Sequence, residues 1–145
     1  MAFSDLPWPT RMAMMGEEAE TKFEETHDDW VRMGFNLPPW GAAFATLPLA
    51  LRNIPDYMQI DRFVECQGIG RNGLKVKIEK LTALAFWQTL LPVHLFIWSR
   101  DREQWCTIPV DELMRIAGSE KASLGAYWEG RKPYLRFTPS VLPWQ

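Results

Sequence analysis

The stretch Pro55-Asp56-Tyr57-Met58-Gln59-Ile60-Asp61-Arg62-Phe63-Val64-Glu65-Cys66-Gln67 decides how the rest of the chain is read. Tyr57 to Ile60 and Phe63 to Gln67 have strand composition and are separated by Asp61-Arg62, so the pattern predicts a hairpin. Strand alternation sends Phe63, Glu65 and Gln67 to one face and Val64 and Cys66 to the other. A carboxylate among apolar strand residues is costly unless it points outward or meets a cation or a metal. A hairpin can carry Asp56, at the head of the first arm, beside Glu65 and Gln67. Two hard oxygen ligands plus waters suit Mg2+, with Mn2+ as a substitute, because Mg2+ keeps much of its hydration shell. Such an ion activates water and neutralises charge on a phosphate. The plainer reading leaves Glu65 and Gln67 on a solvated sheet face and Asp56 capping a turn.

Upstream of the hairpin, residues 1–15, with Pro7 and Pro9, read as an extended leader. From Gly16 the positions Ala19, Phe23, Thr26 and Trp30 recur at helical spacing, with acids on the other faces and Gly34 as a stop. Phe35 to Leu37 reads as a short strand, and residues 40–53 have no clean period. Downstream, Gly68 to Gly73 forms a glycine-rich loop, and Leu74, Val76 and Ile78 alternate with Lys75 and Lys77. Leu81, Leu84, Trp87 and Leu91 share one helical stripe, closed by Pro92. Val93 to Trp98 is a continuous apolar run that suits a buried strand. Gln104 to Ile108 reads as another strand and Val110 to Ala117 as a short helix. The expected organisation is a core over 16–117 and an irregular C-terminal extension over 118–145, with Tyr134 to Phe137 weakly strand-like, packing on that core. The fold class is α/β in one domain.

On these residues the chain resembles the PD-(D/E)XK nucleases. Pro55-Asp56, eight residues, then Glu65-Cys66-Gln67 follow that signature, with Gln67 where the motif has Lys. Gly16, Glu20, Phe23 and Gly34 resemble the first helix of Holliday-junction-resolvase-like members. The loop, helix and strand from Gly68 to Trp98 resemble small phage-type members. The resemblance implies a restriction-endonuclease-like mixed β-sheet flanked by helices and hydrolysis of DNA phosphodiester bonds with Mg2+. Asp56 and Glu65 would be the metal ligands, and Glu20 an assisting acid, with Glu17 one turn earlier as second choice. Gln67 would position the attacking water; it donates hydrogen bonds but carries no charge. Lys75, Lys77 or Lys80 could supply the missing cation. The resemblance also implies a branched DNA substrate and a homodimer, since two strands must be cut. The alternative is a nuclease fold weakened or inactivated by loss of its Lys, binding DNA or a protein partner.

Composition narrows the classes. With 145 residues, 47% apolar and 23% charged, the chain has the usage of one globular domain and not of a disordered tail. Sixteen Lys and Arg against eighteen Asp and Glu give a net charge of -2, which excludes a globally basic nucleic-acid coat. DNA affinity would have to come from a local strip, for which Arg71, Lys75, Lys77 and Lys80 are the candidates. Cys66 and Cys106 have no paired spacing, so neither a disulfide framework nor a zinc finger is expected. No signal-peptide or membrane-spanning pattern is read, which implies a cytoplasmic setting, the host's if phage-encoded. Gly68-Ile69-Gly70-Arg71-Asn72-Gly73 matches GxGxxG. The following alternation and the lack of an acid near the required offset argue against a nucleotide cofactor. His27 and His94 form no ligand pair. Trp30, Trp87 and Trp98 are expected in the core, whereas Trp8, Trp40 and Trp144, each beside Pro, are expected to pack the termini back or to form a dimer contact.

Overall fold

The computed structural model describes residues 2–34, 46–127 and 131–145. In chain order these form α1 (Trp8–Thr26), β1 (Val31–Arg32), α2 (Leu49–Arg52), β2 (Tyr57–Met58), β3 (Phe63–Ile69), β4 (Leu74–Lys77) and α3 (Ile78–Gln88). There follow β5 (Val93–Ser99), β6 (Gln104–Pro109), α4 (Val110–Ala117), β7 (Ala122–Ala126) and β8 (Pro133–Phe137). The expected strand at Phe35 to Leu37 and the Trp40 contact lie outside the described residues.

Apolar strands covered on both faces make the centre. β3 and β5 pair in parallel, Phe63 opposite Val93 through Ile69 opposite Ser99. The sheet order is β1-β2-β3-β5-β6, with the other pairs antiparallel. Tyr57 pairs with Val64 and Met58 with Phe63, and Gln59 N–H closes the turn on Arg62 O at 2.8 Å, so the hairpin forms as its sequence predicts. On one face Val64, Cys66, Phe96 and Trp98 pack on Ala19 and Phe23 of α1. On the other, Phe63, Leu95, Ile97 and Ile108 pack on Leu81 and Leu84 of α3 and on Leu113 and Ile116 of α4. This double covering is why Val93 to Trp98 reads as one apolar run. The protein is thus a mixed α/β domain.

Two expectations at the ends of the chain are corrected. Residues 8–15 are not an extended leader, because α1 begins at Trp8 with Pro7 as its N-cap and Pro9 in the first turn. Proline lacks the N–H that a first turn leaves unpaired, and its fixed φ suits helix entry, so Pro7 and Pro9 start this helix. At its other end α1 stops at Thr26; His27 is extended, and Trp30 packs on the α1-side cluster from outside the helix. Nor is 118–145 irregular. β7 pairs with β8 and β8 with β4, forming a second, three-stranded sheet. Its anchoring to the core is as expected: Phe137 and Leu142 are buried, and Trp144 packs beside them with Nε1 donating to Pro139 O at 2.7 Å. Ala-Ser-Leu-Gly-Ala has little intrinsic strand preference, and its pairing with β8 supplies the order.

The GxGxxG glycines answer to backbone proximity. β3 continues through Gly68, where an added Cβ would lie 2.3 Å from Met15 O of α1. Gly73 adopts φ +88° in the turn between β3 and β4, where Gly70 and Gly73 bridge. No helix among the described residues is long and apolar enough to cross a membrane. Gly68→Ala is expected to destabilise the protein by about 1–3 kcal/mol, since backbone must shift to admit the methyl group. Gly16→Ala, in mid-helix with open space around it, should stabilise by about 1 kcal/mol. Denaturant unfolding of the two variants should show these opposite signs.

Candidate active site

The covering of both sheet faces leaves Glu65 with only 5% of its surface exposed. It projects from β3 on the α3 face and meets Lys80 of the first turn of α3, with Nζ 2.6 Å from Oε1. Burial opposes charge on Lys80, yet Glu65 and then Asp56 hold its ammonium above the ordinary lysine value. β4 runs directly into α3, and this short connection delivers Lys80 to the strand carboxylate.

Asp56 sits immediately before β2. Its Oδ2 accepts the Cys66 N–H at 2.8 Å, which ties the head of the hairpin to the middle of β3. Burial and then the neighbouring Glu65 push the Asp56 carboxyl up to about 8. The two acids therefore share one locale, as the hairpin geometry predicts. Among the described residues no protein group hydrogen-bonds Asp56 Oδ1 or Glu65 Oε2.

Glu20 approaches the same locale from α1. Burial raises its carboxyl pKa, opposed by Arg32 and reinforced by Glu65. Arg32 of β1 reaches Glu20 Oε2 at 2.6 Å and Glu24 Oε1 at 2.8 Å. Tyr57 Oη also donates to Glu24 Oε1, at 2.7 Å. This network holds α1 against β1 and β2 and orients Glu20. Among the described residues Glu17 takes no part in it, and Glu18 accepts the Trp98 Nε1–H at 2.9 Å. Nothing in the sequence signals that Arg32 and Tyr57 would bracket the acids.

Two expected roles change. Gln67 projects from the Glu65 face of β3, but its Nε2 donates to Lys75 O at 2.8 Å and braces β3 against β4. Lys80, expected either in the basic strip or as one of three candidates for the missing cation, is the ion-pair partner of Glu65. A lysine from the next helix meets Glu65 because β4 turns the chain back onto the strand. Lys75 and Lys77 line a cleft of about 320 Å³ that also takes in Gln67, Lys80 and Tyr127. Arg71 stands fully out at the turn before β4, 3.9 Å from Asp101.

Among the described residues no group of three or more His, Cys, Asp or Glu is gathered closely enough to cage a metal ion. The donor set that is present, two adjacent carboxylates each with an oxygen open to other partners, fits a hard cation that keeps most of its water. Comparison of the chain with protein families, with curated proteins and with solved structures finds no match.

Native Asp56 holds its proton more tightly than the unfolded chain, whose value is 3.8. This group's contribution to stability is therefore full below that value and is lost as the pH rises towards about 8. Asp56→Asn removes the titration. Thermal melts across pH should find this variant more stable than the wild type in mildly alkaline buffer, with the gap closing in acid.

Proposed function

We propose that the chain is a metal-dependent endonuclease of the PD-(D/E)XK type, with a restriction-endonuclease-like sheet, hydrolysing phosphodiester bonds of DNA. The observation that carries this reading is the meeting of Asp56, Glu65 and Lys80, with the lysine 2.6 Å from Glu65 although it comes from α3 and not from β3. The order of elements supports it: α1 with Glu20, the Pro55-Asp56 strand, the Glu65 strand, α3, then β5 parallel to β3.

In this reading Asp56 and Glu65 hold the cation, which when bound supplies Lewis acidity and offsets charge on the phosphate. A cation held there would favour the ionised form of Asp56, offsetting the repulsion from Glu65, with the proton going to solvent. Lys80 takes the role expected of the motif lysine. Its ammonium, oriented by Glu65, would stand against the negative charge that grows on the phosphate, while the attacking water gives its proton to solvent and the leaving oxygen takes one back. Glu20, held by Arg32, assists through a water. Gln67 keeps β3 and β4 in register and has no direct part. A branched substrate and a homodimer belong to the same proposal.

Branched, single-stranded and duplex DNA incubated with the protein and Mg2+ or Mn2+ test this. Cleavage of at least one is expected, abolished in Asp56→Ala and Glu65→Ala. Lys80→Met should slow it by about 10²-fold or more, and Gln67→Ala should leave it largely intact. No cleavage of any substrate overturns the proposal. The other reading, a binding module without catalysis, is favoured by the lack of a third close acid among the described residues. An absent shift in melting temperature with millimolar Mg2+ or Mn2+ would favour it further.

A further inference from the structure

The cleft at Lys80 does not end there. Two larger clefts, of about 430 and 650 Å³, share Met12, Lys75 and Tyr127 with it. Together they form one groove between the N-terminal half of α1 and the β4-β8-β7 sheet. Its lining alternates cations with aromatic rings. Lys75 Nζ lies 5.2 Å from the Tyr134 ring centroid, Lys77 Nζ 5.7 Å from that of Tyr127, and the Arg11 guanidinium 5.2 Å from that of Trp8. Trp8 remains 43% exposed although it opens a helix. Tyr134 is held across β7 at Gly125, where an added Cβ would come within 2.7 Å of its ring. Arg11 Nε is buried with no hydrogen-bond partner among the described residues. On the acidic side, Glu79 is already paired with Lys132 at 3.0 Å.

We infer that this groove binds single-stranded nucleic acid, with bases stacked on Trp8 and on the Tyr127–Tyr134 pair, whose ring centroids lie 4.7 Å apart, and phosphates met by Arg11, Lys75 and Lys77, and leads the strand to Lys80, the partner of Glu65. Every base has a π-face, so such stacking is tolerant of sequence, but a duplex hides those faces inside its own stack. Charge alone would take single strand and duplex alike; the rings make the distinction. An acidic peptide would satisfy the cations and leave the rings unused. The inference rests on the nuclease reading and changes the form of its substrate from branched DNA to a single-stranded segment, yet binding in this groove needs no metal.

The test is fluorescence anisotropy of the full chain in EDTA with a labelled mixed-sequence single strand, its duplex, and an abasic strand of equal charge. The single strand is expected to bind at least about tenfold more tightly than the duplex or the abasic strand, with DNA and RNA similar. Trp8→Ala, at an exposed position, and Tyr134→Leu should each weaken single-strand binding about tenfold and leave the abasic strand unaffected. Melting curves identify a variant that fails to fold, and Trp8→Ala then carries the test alone. Lys75→Glu should weaken both strands and flatten the salt dependence. Equal binding of duplex or abasic strand, or no effect of Trp8→Ala, overturns the inference. Base-dependent binding without cleavage under Mg2+ or Mn2+ upholds this inference and removes the nuclease reading; cleavage with base-independent binding does the reverse.

Discussion

A carboxylate held in a strand that is covered on both faces is the constraint around which this structure is arranged. Glu65 has little solvent to turn to, and removing a charge from water costs several kcal/mol unless a partner replaces the lost hydration. Lys80 is that partner. The requirement propagates outward: β4 must turn the chain back, α3 must start where it does, and Gln67 must tie β3 to β4 so that the first turn of α3 stays over the strand. Asp56, anchored on the Cys66 N–H, then adds a second acid to a place already short of water.

Such an arrangement is costly for folding. With Glu65 paired to Lys80, the second acid, Asp56, has no cation of its own and stays protonated in this place. The same crowding makes Asp56 hold its proton to about 8. The Arg32, Glu20, Glu24 and Tyr57 network performs a different service on the α1 side, where it offsets the acids and fixes the helix to the hairpin. The site is thus braced from both layers.

Much of this was legible in the residues around the hairpin. The hairpin brings Asp56 near Glu65, whereas Gln67, expected at the same point, turns to Lys75 O. Leu81, Leu84 and Trp87 lie against the core as read, but α3 stops at Gln88, short of Pro92, so Leu91 joins the core from the turn beyond the helix. The misreadings have particular causes. Pro7 and Pro9 carry the same local signal in a leader as in the first turn of a helix, and only the packing of α1 on Gly68 and Phe96 decides between them. β7 is a strand because β8 lies beside it, which its five residues do not announce.

By itself, then, the sequence determined the periodic elements of the sheet core and the placing of two carboxylates on a hairpin, because alternation and turn chemistry act over a few residues. It also determined that no global positive charge could draw in nucleic acid, since net charge is a sum over the chain. Only the tertiary structure decided which lysine meets Glu65 and that Gln67 serves as a brace. It alone drew Trp8, Lys75, Tyr127 and Tyr134 into a single groove. Those pairings join residues far apart along the chain, and they follow from how α1 and the two sheets pack, which no local pattern encodes.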